Sequence, residues 1–369
     1  MKIMRLVTIE KQVLHYLIPL IKYVEKKDVE LIIVGSNVEI YRDDYPWVKF
    51  ISLNIERKPK LVKDLIALLK LTKLIHTEKP DILHSTFPKP GLLGAISGCL
   101  CRVKRRYHTF TGQMWNDSRY PKLTATYWAD VVISKLNSNV LTDGEDQSKF
   151  LYESGVRYKG GLIPYLGDGA FCGIDYSSIT SVVKKNPSDI ITFTYLARKT
   201  KEKGCLDIID AFSRVHYLHP NTKLLFIGPD ESNGLLDEKL ARKDLSGIQI
   251  ISQVECVQRY LLESDVFCLP SYREGFSTIL LEAAAYGIPC IGYDTVGVAE
   301  PILKCNSGEV VKLGDIDAFS EKMLCFAKNE KKRNEYSESG RVNARIKFDS
   351  YKCLNDLFDF YHSEIKWER

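Results

Sequence analysis

The sequence lacks any long apolar run. No eighteen consecutive apolar residues occur in it, whereas a helix that crosses a bilayer needs about twenty, so no membrane span is predicted. The apolar part of the first twelve residues is also too short for a secretory signal peptide. We interpret this segment as a first β-strand and expect a cytoplasmic protein.

An excess of charge of one sign is nearly absent as well. The 52 lysine and arginine residues outweigh the 47 aspartate and glutamate residues by only five, and a balance this close to neutral does not by itself indicate a nucleic-acid partner. Internal repeats and low-complexity segments are missing, while 45% of the residues are hydrophobic, as is typical of a soluble globular protein. A length of 369 residues favours about two domains.

Cysteine is not scarce, but cysteine pairs at metal-ligand spacing are. Among ten cysteines only Cys99 and Cys101 lie close together in the sequence, and no second pair completes a zinc motif. Most others, such as Cys268 and Cys290, sit in apolar stretches, where a free thiol behaves as a small buried hydrophobe. We predict structural thiols and no metal site; a metal or disulfide at Cys99 and Cys101 is the less favoured alternative.

Short β-branched runs alternate with longer helical patterns through the chain. The strands predicted in the first half are MRLVT, ELIIVG, KFISLN, DILHS, RRYHTF and DVVIS, and those in the second half are ITFTYLA, KLLFIG, IQIIS, DVFCLP and EVVKL. Helical patterns occupy residues 61–78, 144–154, 204–218, 277–286 and 315–328. Such alternation predicts parallel α/β sheets, which bind ligands at the carboxyl ends of their strands.

The alternation breaks once, near the middle of the chain. A glycine-rich and then polar stretch precedes a fresh strand that starts at Ile190, and we place the domain boundary near residue 178. The predicted domains are residues 1–178 and 179–349. The last segment, residues 350–369, contains an aromatic-rich helix that can pack back on the first domain.

The most informative segment follows the predicted strand DVFCLP. Glu274 lies in the loop after this strand, and Ser277 is a suitable N-cap for the next helix. The first N–H groups of that helix, at Thr278 and Ile279, form a natural diphosphate site because they are free donors at the positive end of the helix dipole. Read alone, Glu274 is equally compatible with a loop carboxylate that contacts solvent.

A second glutamate lies on the same predicted helix. Glu282 is the only charged residue between residues 276 and 292, and a carboxylate in such an apolar run is rarely buried without a partner. A ribose diol would supply two hydroxyl donors. The alternative is a solvated helix residue.

A cationic loop, Ala197-Arg-Lys-Thr-Lys-Glu-Lys-Gly204, follows the first strand of the second half. Arg198 can bind phosphate oxygens as a bidentate fork, and Lys203 as a point charge. By itself a lysine-rich turn is more often solvated. Its position at the carboxyl ends of the strands of one predicted sheet, together with the Glu274 loop, favours the phosphate-binding interpretation.

These two motifs, in this order and at this distance, resemble the donor motifs of the retaining GT-B glycosyltransferases of family 4. Glu274 and Glu282 form the Glu-x7-Glu pattern, and Arg198, Lys203 and Gly204 form the Arg-x4-Lys-Gly pattern. The first half is similar to a branch that builds bacterial O-antigens and capsules in four stretches, residues 84–94, 108–115, 140–151 and 166–175. The resemblance covers nearly the whole chain and implies a GT-B fold, in which two Rossmann-like parallel-sheet domains face each other across a cleft.

The resemblance also implies a role for each donor-site residue. Arg198 and Lys203 would neutralise the donor diphosphate and stabilise it as a leaving group, Glu282 would bind the ribose, and Glu274 would hold hydroxyls of the transferred sugar. Arg198, Lys203 and Glu274 are thus the expected catalytic residues. The full expected donor-binding set is Arg198, Lys203, Glu274, Gly275, Phe276, Ser277, Thr278, Ile279 and Glu282. Neither a metal nor another cofactor is expected, because cationic side chains neutralise the diphosphate.

The expected acceptor is a polyprenyl-diphosphate-linked sugar, as in the branch that the first half resembles. Lys89, in FPKPG, and Thr111 and Gly112 are the candidate acceptor-side residues. Many family members carry histidine at the position of Thr111, so no histidine is assigned to the donor sugar here.

A basic amphipathic pattern spans residues 57–79. Leu61, Leu65, Leu68 and Leu69 keep helical spacing, and five lysines surround them: Lys58, Lys60, Lys63, Lys70 and Lys73. Such a helix can lie on an anionic bilayer or pack on the domain with a solvated lysine face. Together with the expected acceptor, the pattern favours a peripheral location at the inner membrane.

The sequence is compatible with several functions. A UDP-N-acetylhexosamine or UDP-hexose is the favoured donor in lipopolysaccharide or capsule synthesis, and a GDP-sugar of the mannose or fucose type is the alternative. A UDP-sugar epimerase on the same fold, or a non-catalytic donor-binding subunit, would use a similar pocket without transferring sugar.

Overall fold

Two units make up the chain, each built on a parallel sheet. A computed structural model describes residues 1–56, 59–115, 120–177, 179, 189–241, 246–252, 254 and 256–366, apart from the side chains of residues 364–366. One unit comprises Met1–Gly173 with Ser350–Arg369, and the other comprises Ile174–Asp349. The domain boundary predicted at residue 178 comes a few residues after Gly173 and lies outside the described residues. Arg57 and Lys58 of the basic pattern also lie outside them.

The first unit alternates strands and helices from the N-terminus onwards. Its elements are β1 Lys2–Ile9, α1 Glu10–Gln12, α2 Ile18–Val24, β2 Glu30–Ser36, β3 Val48–Ser52, α3 Leu61–Glu78, β4 Ile82–Thr86, α4 Pro88–Leu100, β5 Arg105–Phe110, α5 Ala125–Leu136, β6 Asn139–Thr142 and α6 Glu145–Glu153. The predicted helix over residues 61–78 has the predicted bounds.

The second unit repeats the alternation. Its elements are β7 Ile191–Leu196, α7 Cys205–Leu218, β8 Thr222–Ile227, α8 Leu235–Leu240, β9 Ile248–Ile251, α9 Val257–Leu262, β10 Val266–Leu269, α10 Thr278–Ala285, β11 Cys290–Tyr293, α11 Ala299–Cys305, β12 Gly308–Val311, α12 Ile316–Lys328 and α13 Glu330–Phe348. The predicted strand list omitted β11, a four-residue strand that follows the helix-terminating segment Tyr-Gly-Ile-Pro.

Both sheets have the same strand order. The first runs β3-β2-β1-β4-β5-β6 and the second β9-β8-β7-β10-β11-β12, with every pairing parallel. This is the order of a Rossmann fold, in which ligands bind at the carboxyl ends of the strands where the order reverses. The predicted α/β class with two Rossmann-like sheets is confirmed, and the reversal in the second unit falls between β7 and β10.

One predicted strand is a helix. The segment DVVIS, residues 130–134, lies inside α5, because capping and burial outweigh the strand propensity of its valines and isoleucine. The Thr124 side chain accepts a hydrogen bond from the Tyr127 N–H at the helix start, and Asp130 accepts one of 2.8 Å from Trp115 Nε1 in the core. The adjacent NVLT forms the sixth strand instead.

The last helix, α14 Ser350–Lys366, belongs to the first unit. Tyr361 stacks on Tyr107 of β5 with ring centroids 5.4 Å apart, and its hydroxyl accepts a 3.2 Å hydrogen bond from Arg5 of β1. The core of this unit also takes in Leu354, Leu357 and Phe358. Arg5 donates to His84 Nδ1 at 2.7 Å; burial and then the charge of Arg5 hold the pKa of His84 well below its usual value, so this histidine is a neutral acceptor.

Candidate active site

The two predicted donor motifs lie on neighbouring strands of the second sheet. The cationic loop 197–204 leaves the carboxyl end of β7, and the Glu274 loop leaves that of β10, which pairs with β7. The loops touch through main chain: Tyr272 N–H donates to the Glu202 carbonyl at 2.8 Å. Gly204 has a positive φ of 67°, and a Cβ there would lie 1.8 Å from the Pro270 carbonyl oxygen, so glycine permits this close approach.

Lys203 and Glu274 contact each other directly. Their Nζ and Oε1 atoms are 2.6 Å apart, and only 15% and 19% of the two side chains are exposed. Lys203 Nζ also donates to the Arg273 carbonyl oxygen at 3.0 Å. The ammonium group of Lys203 thus lies beside Glu274, the candidate for sugar binding, where it can donate hydrogen bonds both to that carboxylate and to a nearby phosphate oxygen.

Arg198 lies between two further carboxylates. Its NH1 is 2.7 Å from Glu231 Oε2, and its NH2 is 3.1 Å from Glu202 Oε1. The second oxygen of Glu202 accepts from Arg273 NH2 at 2.7 Å. Sequence patterns assign no role to Glu202 or Arg273, although both lie in the loops that carry the predicted donor motifs. Glu231 lies on a third loop, after β8, that spacing alone does not connect to Arg198.

The N-terminus of α10 lies directly after the Glu274 loop. Ser277 occupies the N-cap position, but its side chain caps no N–H group; its own N–H donates to the Gly297 carbonyl at 2.9 Å. The first N–H groups of a helix have no intrahelical acceptor, which leaves those of Thr278 and Ile279 as donors to a ligand. The geometry suits the diphosphate contact that the sequence predicts.

The main chain between Glu274 and Ser277 is fixed by packing contacts with other parts of the second unit. Phe276 is buried and packs against Phe348 with ring centroids 5.6 Å apart. Gly297, at a φ of 76°, approaches Gly275 so closely that a Cβ would lie 2.0 Å from the Gly275 carbonyl oxygen. This segment is therefore fixed in place by packing, as a binding site for sugar hydroxyls requires.

Glu282 projects from α10 in a half-buried position. In the described part of the chain no hydrogen bond or ion pair involves its carboxyl group. Burial raises its pKa to about 7. A half-buried carboxyl group without a protein partner is a suitable acceptor for the two hydroxyls of a ribose.

The acceptor-side candidates lie in the first unit, after the carboxyl ends of neighbouring strands. Lys89 is in the first turn of α4, and its Nζ is 2.7 Å from Asp64 Oδ1 of α3. Thr111 and Gly112 follow β5 and are half-buried. His108, on β5, is buried, and its Nδ1 is 2.9 Å from Ser85 Oγ, as suits a structural residue.

The candidate site contains no group of three or more histidine, cysteine, aspartate or glutamate residues that could hold a metal ion, nor does any other described part of the chain. All ten cysteines are free thiols. Independence of metal remains a prediction.

Two family models match the chain. One, described as glycosyl transferases group 1, matches residues 179–343, which include the whole candidate donor site. The other, described as glycosyl transferase 4-like, matches residues 6–115. The chain is a family 4 glycosyltransferase with the GT-B fold.

Curated relatives and solved structures agree with this assignment. The glycosyltransferase is 27% identical to the capsular polysaccharide biosynthesis glycosyltransferase CapM of Staphylococcus aureus, over 99% of this chain and 98% of the relative. It is 25% identical to UDP-Gal:alpha-D-GlcNAc-diphosphoundecaprenol alpha-1,3-galactosyltransferase of Escherichia coli, over 91% and 89%. Its fold matches HepE of Anabaena in complex with UDP-glucose at a TM-score of 0.76, with 15% identity over 98% and 100% of the chains.

Proposed function

We propose that this glycosyltransferase is a retaining, metal-independent hexosyl- or N-acetylhexosaminyltransferase. It moves a sugar from a UDP-sugar to a polyprenyl-diphosphate-linked glycan in capsule or O-antigen assembly. The Lys203–Glu274 contact beside the N-terminus of α10 carries the proposal, because the cation proposed to neutralise the diphosphate lies next to the carboxylate proposed to bind the sugar. The relatives support the substrate class: one takes part in capsule synthesis, and another is named for a UDP-galactose donor and an undecaprenol-linked acceptor.

The proposed reaction uses the donor's own leaving group. An acceptor hydroxyl attacks the anomeric carbon on the face from which the diphosphate departs, the bond from that carbon to the diphosphate oxygen breaks, and this oxygen takes the hydroxyl proton. Arg198, Lys203 and the N–H groups of Thr278 and Ile279 stabilise the charge that develops on the diphosphate. Glu274 and the main chain of residues 275–276 orient the sugar, and Lys89, Thr111 and Gly112 are the proposed contacts of the acceptor.

Three alternatives predict different outcomes. A GDP-sugar transferase would select GDP over UDP, an epimerase would convert a UDP-sugar without any acceptor, and a non-catalytic subunit would bind nucleotide without turnover. The first test is therefore calorimetry with UDP, GDP, ADP and dTDP in the absence of metal, followed by turnover of UDP-sugars with a polyprenyl-diphosphate-linked acceptor. We expect selective UDP binding that Arg198→Ala weakens; preference for GDP, or turnover that needs no acceptor, would contradict the proposal.

The affinity for UDP-glucose, measured by the same calorimetry, is expected to depend on pH. The carboxyl of Glu282 has a pKa of about 7 without ligand, and ribose hydroxyls that donate to it favour its charged form, so bound donor lowers this pKa. Below pH 7 binding must release the proton, and affinity for UDP-glucose falls by up to about tenfold per pH unit. We expect tighter binding at pH 8 than at pH 6 in the wild type and a flat profile in Glu282→Gln. An equal slope in both proteins would remove Glu282 from the ribose site.

Membrane association is the second element of the proposal. The first half of α3 exposes five large apolar side chains, Leu61, Val62, Leu65, Ile66 and Leu69, while Ala67, Leu71 and Ile75 pack into the core. Lys60 and Lys63 pair with Glu56, and Lys70 and Lys73 are exposed on the same helix. None of the helices described crosses a bilayer, and an apolar stripe with flanking lysines is suited to lie in the headgroup region of an anionic membrane instead.

Vesicle co-sedimentation tests this surface. We expect the protein to bind vesicles that contain phosphatidylglycerol more strongly than pure phosphatidylcholine vesicles, and we expect Leu65→Gln/Leu69→Gln to abolish most of that binding. Leu303→Gln is the matched control, because Leu303 is 63% exposed against 62% for Leu69 but lies in the second unit. Equal vesicle binding by all three proteins would contradict a role for α3.

A further inference from the structure

The two carboxylates that flank Arg198 differ in how firmly they are held. Glu202 is one-quarter exposed and Glu231 nearly one-half, at 26% and 47%. Glu202 has a second cationic partner in Arg273, and its carbonyl accepts from Tyr272 N–H and Ser271 Oγ at 2.8 and 3.3 Å. Glu202 thus ties the cationic loop to the Glu274 loop by side chain and main chain together.

Glu231 has no comparable support. Its main-chain N–H donates to the Lys199 carbonyl at 3.2 Å, and in the described part of the chain Arg198 is the one side chain that its carboxylate pairs with. A single ion pair between groups this exposed contributes only about 0–1 kcal/mol. The carboxylate of Glu231 can therefore leave Arg198 at small cost.

The charges of the site are balanced before any ligand arrives. Arg198, Lys203 and Arg273 face Glu202, Glu231 and Glu274, so each cation has a carboxylate neighbour. A diphosphate adds negative charge at the position where the guanidinium is already paired, and like charges at such distances repel. Arginine binds phosphate most strongly as a bidentate fork, and the fork through its two terminal nitrogens needs the NH1 group that Glu231 occupies.

We propose that Glu231 is an internal counter-ion that occupies the diphosphate position on Arg198 and is displaced when the donor binds. Its return to Arg198 competes with the diphosphate product and so promotes product release. Glu202, in contrast, is a positioning residue that keeps Arg198 and the Glu274 loop in the same relative position with and without ligand. This inference rests on the proposed use of a UDP-sugar by the same site.

Two conservative variants separate these roles, because they remove the same charge and have opposite expected effects. Glu231→Gln is expected to lower the Kd for UDP by about two- to fivefold, the range that removal of one exposed competing carboxylate allows. Glu202→Gln is expected to raise the Kd for UDP and to reduce kcat. The control is Glu238→Gln in α8, an exposed glutamate a short distance further along the chain, which should change neither value.

Uridine distinguishes the electrostatic effect from a reshaped pocket, because it has no phosphate. Its affinity should be the same in the wild type and in Glu231→Gln, and the gain for UDP should shrink as salt screens the site. Unchanged or weaker UDP binding by Glu231→Gln, equal tightening of uridine, or tighter UDP binding by Glu202→Gln would each overturn the assignment. If the wild type bound no UDP at all, the proposed function would fail first, and this inference with it.

Discussion

Replacing Lys203 by alanine is expected to lower kcat/KM for the donor by about a hundredfold or more, the scale on which one preorganised charge at a developing anion contributes. The loss has two causes. The leaving diphosphate loses a cation, and Glu274 loses the Nζ that lies 2.6 Å from its Oε1, which leaves a largely buried carboxylate without its ion-pair partner. Initial rates of UDP-sugar turnover measure this loss, and a thermal melt monitors the fold.

Lys201→Ala is the matched control for this variant. Lys201 lies in the same loop and is exposed, so its removal takes away the same charge without disturbing Glu274, and near-wild-type turnover is expected. Glu274→Ala should abolish transfer while the protein stays folded, and the double variant should lose little more than either single variant, because the two groups act as a unit. Retention of more than half the wild-type activity by Lys203→Ala would exclude this lysine from catalysis.

Gly297→Ala is expected to produce the second large effect, on binding of the sugar moiety. The left-handed conformation alone costs about 1–2 kcal/mol for a residue with a Cβ, and here the new atom would also lie 2.0 Å from the Gly275 carbonyl oxygen. The main chain of residues 275–276 must then shift. Because that segment is the proposed contact of the sugar hydroxyls, we expect affinity for UDP-glucose to fall much more than affinity for UDP.

A second glycine isolates the steric part of this effect. Gly234 has a φ of 87°, but a Cβ there would meet nothing within 4 Å. Gly234→Ala should therefore show the conformational cost in its melting temperature and leave the ratio of UDP-glucose to UDP affinity unchanged. If the two alanine variants behaved alike in that ratio, contact between Gly297 and Gly275 would have no part in sugar binding.

The sequence predicts the framework of this protein better than its side-chain contacts. Helix α3 follows from the helical spacing of its leucines, and buried strands such as ELIIVG follow from continuous apolar runs, which suit a sheet buried on both faces. The segment DVVIS was mistaken for a strand because its apolar residues fit either period, and the hydrogen bond from Trp115 to Asp130 that favours the helix joins residues that no local pattern links.

The candidate site shows the same division. The sequence places Arg198, Lys203 and Glu274 at one end of one sheet, because the carboxyl ends of neighbouring parallel strands meet there. It does not predict that Lys203 pairs with Glu274, or that Arg198 pairs with Glu231, which is thirty-three residues away. Those pairings depend on how three separate loops fold over the strand ends, and loop geometry is not encoded in periodicity.

The position of α14 has a consequence for how the protein is made. The core of the first unit includes Tyr361, which contacts Arg5 and Tyr107, so residues at the two ends of the chain complete one fold. A ribosome joins all residues of the second unit, Ile174–Asp349, before it adds Tyr361. The unit that carries the candidate donor site is therefore complete in sequence before the first unit receives the residues that complete its core.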